Sequence, residues 1–475
     1  MPARSSPDII AGVPAARIAA MQAREAERFA RARPNARRAA AAGQAFLDGV
    51  PMLWMTDWPM PFPMLVATAR DAVLTDIDGN TLDDFCLGDT GSMFGHSPKP
   101  VAKAIRAQAR NGLTYMLPTV DSLAVGVLLC ERFGDFRWQI ATTATDANRF
   151  ALRVARAVTG KPKVLVFAGC YHGAVDDVML RLENGVTLPR PGLVGQVADL
   201  TQTGVCCEFN DLGCVEAALK TGDVAAILTE PVLTNCCMVL PEAGFLDGLR
   251  ALTRQYGALL IIDETHTIAT GPGGYTCTHG LKPDMFVLGK PVAGGIPASV
   301  WGMTPEVAAL YASYNATRPA GFSGIGTTLS ANPMQFAAMR ATLAEVMTAK
   351  NYRRMEKGAH RLAQGLGKAI ARHAAPWHVV RVGARVEFIC TPTPLKNGTE
   401  AEQAHQPALE AAIHAALVNR GCLIAPFHNM MLISPVTTRR QIDRLIAAFD
   451  AILGELFADE VPGETFARPV IRTRK

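Results

Sequence analysis

A lysine closes the apolar run MFVLGK at position 290, with the pliant stretch PVAGG behind it. Burying a lysine without a counter-charge is costly. The desolvation and nearby positive charge behind that cost also lower the amine's pKa, and a neutral amine adds to an aldehyde. Alone, a strand-end lysine is more often a solvated structural residue. Lys290 has company: ALLIIDE ends in Asp263 and Glu264, and AAILTE ends in Glu230 before Pro231. A buried carboxylate such as Asp263 can hold a proton on a ring nitrogen and keep the ring able to accept electrons. The plainer reading of such a strand end is a helix cap or a magnesium ligand.

Three further segments carry chemistry-bearing residues. In TTATDANRFALRVARA, Thr143, Thr145 and Asp146 stand at the start of a strongly patterned helix. Hydroxyls and free N–H groups there suit a phosphate, although plain N-capping uses the same residues. In GCYHG (169–173), Tyr171 can stack on a planar ring with His172 beside it, or simply pack. GIGTTLSANP offers two threonines ahead of a helix, as a second phosphate contact or a capped loop.

These residues need elements to hold them. From about 100 to 325, short apolar runs (VLVF, AAILTE, ALLIIDE, MFVLGK) alternate with helical stretches such as ANRFALRVARAV and GFLDGLRALTRQYG. Buried strands alternating with helices predict a mainly parallel sheet covered on both faces, whose ligands sit at the carboxyl ends of its strands. Ahead of it, Ile18, Met21 and Phe29 predict an amphipathic helix over 15–32, ended by Pro34. PMLWMTDWPMPFPM is expected as an ordered aromatic loop. AVLTDIDGNTLDDF predicts a hairpin turning at Asp78-Gly79-Asn80. Past 330, NPMQFAAMRATLAEVMTAKN reads as one long helix leading into a smaller α+β region whose strands are expected to be 378–390 and 422–434.

The 475 residues, 49% hydrophobic and 19% charged, suffice for a large α/β domain with a satellite and exclude a disordered chain. The 47 basic residues are dispersed and the formal charge is only +5, so no nucleic-acid footprint is expected. No apolar run approaches a membrane span. The 11 cysteines, without any CxxC, fit buried free thiols in a reducing compartment and no metal site. Asp8, Glu25, Glu27 and Asp48 argue against a transit peptide in the Ala/Arg-rich start, and a cytoplasmic protein is expected.

Taken together, these places make the chain resemble the class III aminotransferases, pyridoxal-5′-phosphate (PLP) enzymes of fold type I, from about residue 60 onward. Within that family the likeness is to glutamate-1-semialdehyde-aminomutase-like and β-amino-acid aminotransferase members. DIDGNTLDDF stands for the family hairpin, TATDA for its Ser-Gly-Thr-Glu-Ala phosphate loop, GCYHG is intact, and Glu230-Pro231 and LGKPVAGGIP match in order. The resemblance implies a seven-stranded, mainly parallel large domain (101–335). It also implies a small domain built from 61–100 and 336–475, with a helical arm and loop over 1–60. Lys290 would be the Schiff-base lysine and proton carrier, and Asp263 the partner of the pyridine nitrogen. Tyr171 and Thr265 would face the ring, with His172 and Glu230 nearby and His266 near the 3-hydroxyl. Thr143, Ala144 and Thr145 would hold the phosphate with Thr328 of a neighbouring protomer, which implies a homodimer with shared sites.

The chain also departs from the family. DETHT replaces Asp-Glu-Val-(Gln/Met), Ala144 replaces a glycine, and no arginine follows in IATGPGG. Trp54 and Trp58 stand where β-amino-acid members carry an arginine, and with Phe62 they are expected to line an apolar part of the pocket. Arg385, in VRVGARVEF, reads either as the anchor of a substrate carboxylate, with His428 lining the pocket, or as a surface salt bridge. The resemblance implies a ping-pong aminotransferase taking small-molecule amino donors and keto or aldehyde acceptors. An intramolecular aminomutase on the same scaffold is the alternative, and a catalytically silent PLP-scaffold protein is a third.

Overall fold

A computed structural model describes residues 8–42, 45–319, 321 and 323–458. Helix α1 (Ala15–Ala32) forms where the 15–32 pattern predicts it, burying Ile18, Met21 and Phe29. A second helix starts at Pro34, so that proline opens an element as well as closing one. Its fixed φ and missing N–H suit a first helical turn. The Asp78 carboxylate accepts from the N–H groups of Asn35 (2.8 Å) and Ala36 (2.9 Å), tying the hairpin turn to that helix.

The hairpin is part of a small sheet. Strands β1 (Val66–Arg70), β2 (Val73–Asp76) and β3 (Thr81–Asp84) run antiparallel. Its β1 carries no clean alternation and was not foreseen. Gly79 sits at φ 85°, where its missing side chain is needed for the turn. In the interior, Arg33 Nε donates to Asp76 Oδ2 at 2.9 Å, with both side chains buried.

The large sheet contains β4 (Arg137–Ala141), β5 (Lys163–Phe167), β6 (Gly204–Cys207), β7 (Val224–Thr229), β8 (Leu259–Asp263), β9 (Met285–Leu288) and β10 (Ser299–Met303). Their spatial order is β6-β5-β7-β8-β9-β10-β4. Only β10 runs against its neighbours, so the other six share one direction. Helices α2 (Ala144–Thr159) and α3 (Phe245–Tyr256) match the helical stretches between the runs. The sheet core includes the fully buried Phe167, Phe209, Phe286 and Trp301. Each such side chain contributes about 1.5–3 kcal/mol through burial.

The single helix expected after 330 is broken. Helix α4 (Pro333–Ala341) passes into a π-type turn over Thr342–Val346, and α5 (Ala349–Arg372) starts afresh. Thr342 Oγ1 donates back to Ala338 O, and Thr348 Oγ1 caps α5 by accepting from Asn351 N. Hydroxyl competition for backbone groups ends the first helix and starts the next. Beyond lie an antiparallel sheet of β11 (His378–Val382), β12 (Arg385–Ile389) and β14 (Met430–Leu432), and the helices α6 (Pro407–Asn419) and α7 (Arg439–Leu456). Each of the two strands expected here is split, 378–390 by a turn at Gly383 (φ 55°) and 422–434 into β14 and the two-residue β13 (Cys422–Leu423), which pairs in parallel with Asp83–Asp84 of β3, so the chain's late part completes its early sheet. Helix α1 packs on α6, and Ile18 and Met21 share a core with Leu417 and Leu445. All 11 cysteines are unpaired. No helix of the described residues is long and apolar enough to cross a membrane.

Candidate active site

Because six strands share one direction, the segments after β4, β5, β7, β8 and β9 emerge on the same side of the sheet. They deliver Thr143–Thr145, Tyr171–His172, Glu230, Asp263, Thr265, His266 and Lys290 to one cavity of about 480 Å³. Lys290 lies two residues past β9, with its backbone in the left-handed region at φ 43°. A non-glycine residue held there is strained, and such strain collects at functional sites.

The cavity floor is Asp263. Its Oδ2 accepts from His172 Nδ1 at 3.0 Å and from Asn148 Nδ2 at 2.9 Å, and its Oδ1 accepts from Thr265 N at 3.1 Å. Burial pushes this carboxyl up, but the His172 bond and charge, with Thr265 and Asn148, outweigh it and hold it down to about 2. Burial also opposes a charge on His172, yet Cys170 and the Asp263 carboxylate raise that imidazole to about 10. Asp263 is therefore an anion with a lone pair to spare on Oδ1. Glu264 is spent differently: its carboxylate takes the Thr267 hydroxyl at 2.6 Å and the N–H groups of Tyr275 and Thr276, so it caps the following turns.

Thr143 caps α2, its Oγ1 accepting from Asp146 N at 3.1 Å. The start of this 16-residue helix faces the cavity through Ala144 and Thr145. Thr145 Oγ1 accepts from Ala174 N at 3.1 Å, which ties the GCYHG turn to it. A Cβ on Gly173 (φ 84°) would come within 2.7 Å of Thr145 Cα, so only glycine lets the two segments meet. A phosphate at the helix start, an aromatic ring beside the 45%-exposed Tyr171 and a ring nitrogen at Asp263 would use every one of these groups. The residues present thus fit a phosphorylated pyridine aldehyde.

Lys290 Nζ donates to Asp89 Oδ2 at 2.5 Å and is bonded to His266 Nε2. Burial pushes the Asp89 carboxyl up, but the Lys290 and Arg385 charges hold it well below the usual carboxylate range. Asp89 was not foreseen. Its signal was an acid inside the glycine-rich CLGDTG that follows a core strand. Asn148 was also missed, although a fully buried amide inside an apolar helix face needs a partner.

The substrate-side expectations change most. Arg385 is 0% exposed, which overturns its reading as a surface salt bridge, but it does not line the cavity either. Its Nη1 donates to Thr90 Oγ1 at 2.6 Å and its Nη2 lies 4.0 Å from Asp89 Oδ1. Its Nε and Nη2 have no hydrogen-bond partner among the described residues. His428 does not line the cavity; its Nδ1 donates to Glu387 Oε1 at 2.8 Å on the neighbouring strand. Nor do Trp54, Trp58 or Phe62 line it. Trp54 meets Phe427 edge-on at 6.0 Å, Phe62 meets Phe29 at 5.2 Å, and Trp58 packs against that same core. Aromatics in a proline-rich loop found apolar neighbours nearer than the cavity. Thr328 is exposed and outside its own chain's cavity.

Several known proteins are similar to this chain. The family model described as aminotransferase class-III matches residues 55–453. The glutamate-1-semialdehyde 2,1-aminomutase of Roseiflexus castenholzii is 35% identical over 77% of this chain and 83% of its own. The crystal structure of a glutamate-1-semialdehyde-aminomutase from Pseudomonas aeruginosa PAO1 superposes with a TM-score of 0.92 at 46% identity, covering 94% of this chain and 100% of that one. A lysine-to-alanine variant of that enzyme was solved with PMP bound. A β-phenylalanine aminotransferase from Variovorax paradoxus gives a TM-score of 0.82 at 25% identity, over 92% and 97% of the two chains. A fold-type I scaffold with a lysine, an aspartate and a helix start around one cavity, and matches of this extent, make the chain a member of the PLP-dependent class III aminotransferase family.

Proposed function

We propose that the protein moves an amino group within a single carboxylate-bearing molecule, the reaction type of the glutamate-1-semialdehyde aminomutases. The observation that carries this reading is the 46% identity over 94% of the chain to the P. aeruginosa aminomutase. Bound PLP supplies the electron sink for cleaving a C–H bond next to the amino group. Lys290 Nζ takes the proton from that carbon and returns it at the new position. Asp263 holds the proton on the ring nitrogen, and the Thr143–Thr145 helix start holds the phosphate. Thr328, exposed on its own chain, would reach the cavity of a second protomer. The test is to give the holoenzyme glutamate-1-semialdehyde with no keto acid. Full conversion to the isomeric amino ketone is expected. A requirement for stoichiometric pyruvate or 2-oxoglutarate would overturn the reading in favour of transfer between two molecules. That second reading draws support from the β-phenylalanine aminotransferase, at 25% identity.

Arg385 supports a substrate with a carboxylate. A buried guanidinium with two unpaired donors is costly, and an anion reaching past Asp89 would relieve it. Arg385→Leu is expected to raise KM for carboxylate-bearing substrates by about 30-fold or more, the equivalent of roughly 2–5 kcal/mol for a buried pair. Simple amines should be spared. Equal KM changes for both classes would remove Arg385 from substrate binding.

A further inference from the structure

Behind Lys290 lies a line of hydrogen bonds that the proposed reaction has not used. His266 Nε2 is bonded to Lys290 Nζ, and His266 Nδ1 lies 2.6 Å from Thr234 Oγ1. The Thr234 hydroxyl donates in turn to Glu230 Oε2. All three residues behind the lysine are buried. The second carboxyl oxygen of Glu230, Oε1, is buried without a partner among the described residues, although Glu230 itself borders the cavity.

The roles along this line follow from its two ends. An ammonium can only donate, and a carboxylate can only accept. Lys290 Nζ–H therefore donates to His266 Nε2, which leaves the imidazole proton on Nδ1, donating to Thr234 Oγ1. The Thr234 O–H then donates to Glu230. Every bond points the same way, from amine to carboxylate. Burial and the neighbouring Lys290 charge hold His266 well below its ordinary pKa, so it is neutral as this pattern requires. Burial raises Glu230 to about 7, so its carboxyl can exchange a proton near neutrality.

We propose that His266, Thr234 and Glu230 form a proton relay that sets the charge on Lys290. One concerted shift moves a proton from Lys290 Nζ to His266 Nε2, the Nδ1 proton to Thr234 Oγ1, and the hydroxyl proton to Glu230 Oε2. One N–H bond of the lysine breaks and one O–H bond of the glutamic acid forms. The ion pair Lys290⁺/Glu230⁻ becomes a neutral amine and a neutral acid, with the imidazole changed only in tautomer. The amine becomes competent to take a proton from carbon, and the reverse shift recharges it. Asp89, Arg385 and Asp263 act on His266, and His172, Asp263, Arg385 and the Cys236 thiol face Glu230. Asp89 Oδ2 accepts from the same Nζ at 2.5 Å, so the relay and Asp89 compete for one nitrogen. The proposal rests on Lys290 being the proton carrier.

Thr234→Val removes the hydroxyl at nearly constant volume, and Glu230→Gln keeps the hydrogen bond from Thr234 but cannot store a proton. Both holoenzymes are compared with wild type by the pH titration of the bound-cofactor absorbance, and by kcat and KM. In each, the titration midpoint should move by about one pH unit or more, and kcat should fall at least tenfold with KM within about twofold. Thr234→Ser should restore both. A midpoint and kcat like wild type in either folded variant overturns the relay. Borohydride reduction of the same samples keeps the two assignments apart. Cofactor fixed to the Lys290 peptide with an unmoved titration sinks the relay alone, whereas label on another lysine sinks the assignment of Lys290 as well.

Discussion

Replacing Lys290 by alanine is expected to leave a folded, cofactor-binding protein with turnover reduced by at least about 10⁴-fold. The amine is both the attachment point for PLP and the carrier of the proton, so one substitution removes two functions that act as a unit. The fold should persist, because the Lys290 side chain is partly exposed and its main partner, Asp89, retains the Arg385 guanidinium 4.0 Å away. Alanine tolerates the left-handed backbone no worse than lysine does. Circular dichroism and retained cofactor report on the fold, and kcat reports on the chemistry. In the wild type, borohydride should fix the cofactor to the peptide containing Lys290. Measurable turnover within about tenfold of wild type would remove Lys290 from the mechanism.

Asp263→Asn should bind cofactor and still lose about 10²–10³-fold in kcat, on the order of 3–4 kcal/mol in barrier. The amide offers one acceptor oxygen where the carboxylate uses two, so its NH2 faces a neighbouring donor, and it cannot hold a proton on a ring nitrogen. The substitution also removes an acid whose pKa is depressed to about 2, chiefly through His172 working against burial. A depressed carboxyl stabilises the folded state fully above the ordinary carboxylate range, and that contribution disappears as pH falls towards 2. The variant should therefore melt at a lower temperature at pH 7, with the gap to wild type closing in acid. An unchanged kcat would leave Asp263 with the plainer role of a strand-end anchor.

The parts of the site that could be read from the sequence are those that end strands. A run such as ALLIIDE can only be a buried strand, and polar residues at its tip must meet whatever lies at the sheet's edge. The shared direction of six strands then brings the tips together. What could not be read depends on distance along the chain. Asp89 meets Lys290 across 201 residues, and Arg385 meets Thr90 across 295. No local period records such a meeting. Thr234 looks like any threonine in a turn until His266 and Glu230 lie on either side of it. The tryptophans erred in the other direction: their loop did pack, but the core beside Phe29 and the ring of Phe427 were as good a destination as the cavity.

The two-residue strand Cys422–Leu423 has a consequence for the protein while it is being made. Its partner Asp83–Asp84 leaves the ribosome more than 300 residues earlier. At about 5–20 residues per second the interval is roughly 20–70 s. Until Cys422–Leu423 is made, the outer edge of β3 has no partner strand within the chain, and an unpaired edge is a template for pairing with another chain. Asp83 and Asp84 stand on that edge, and their like charges repel a second copy of the same strand. Two carboxylates on the edge that closes last are a composition that disfavours edge-to-edge pairing of like strands.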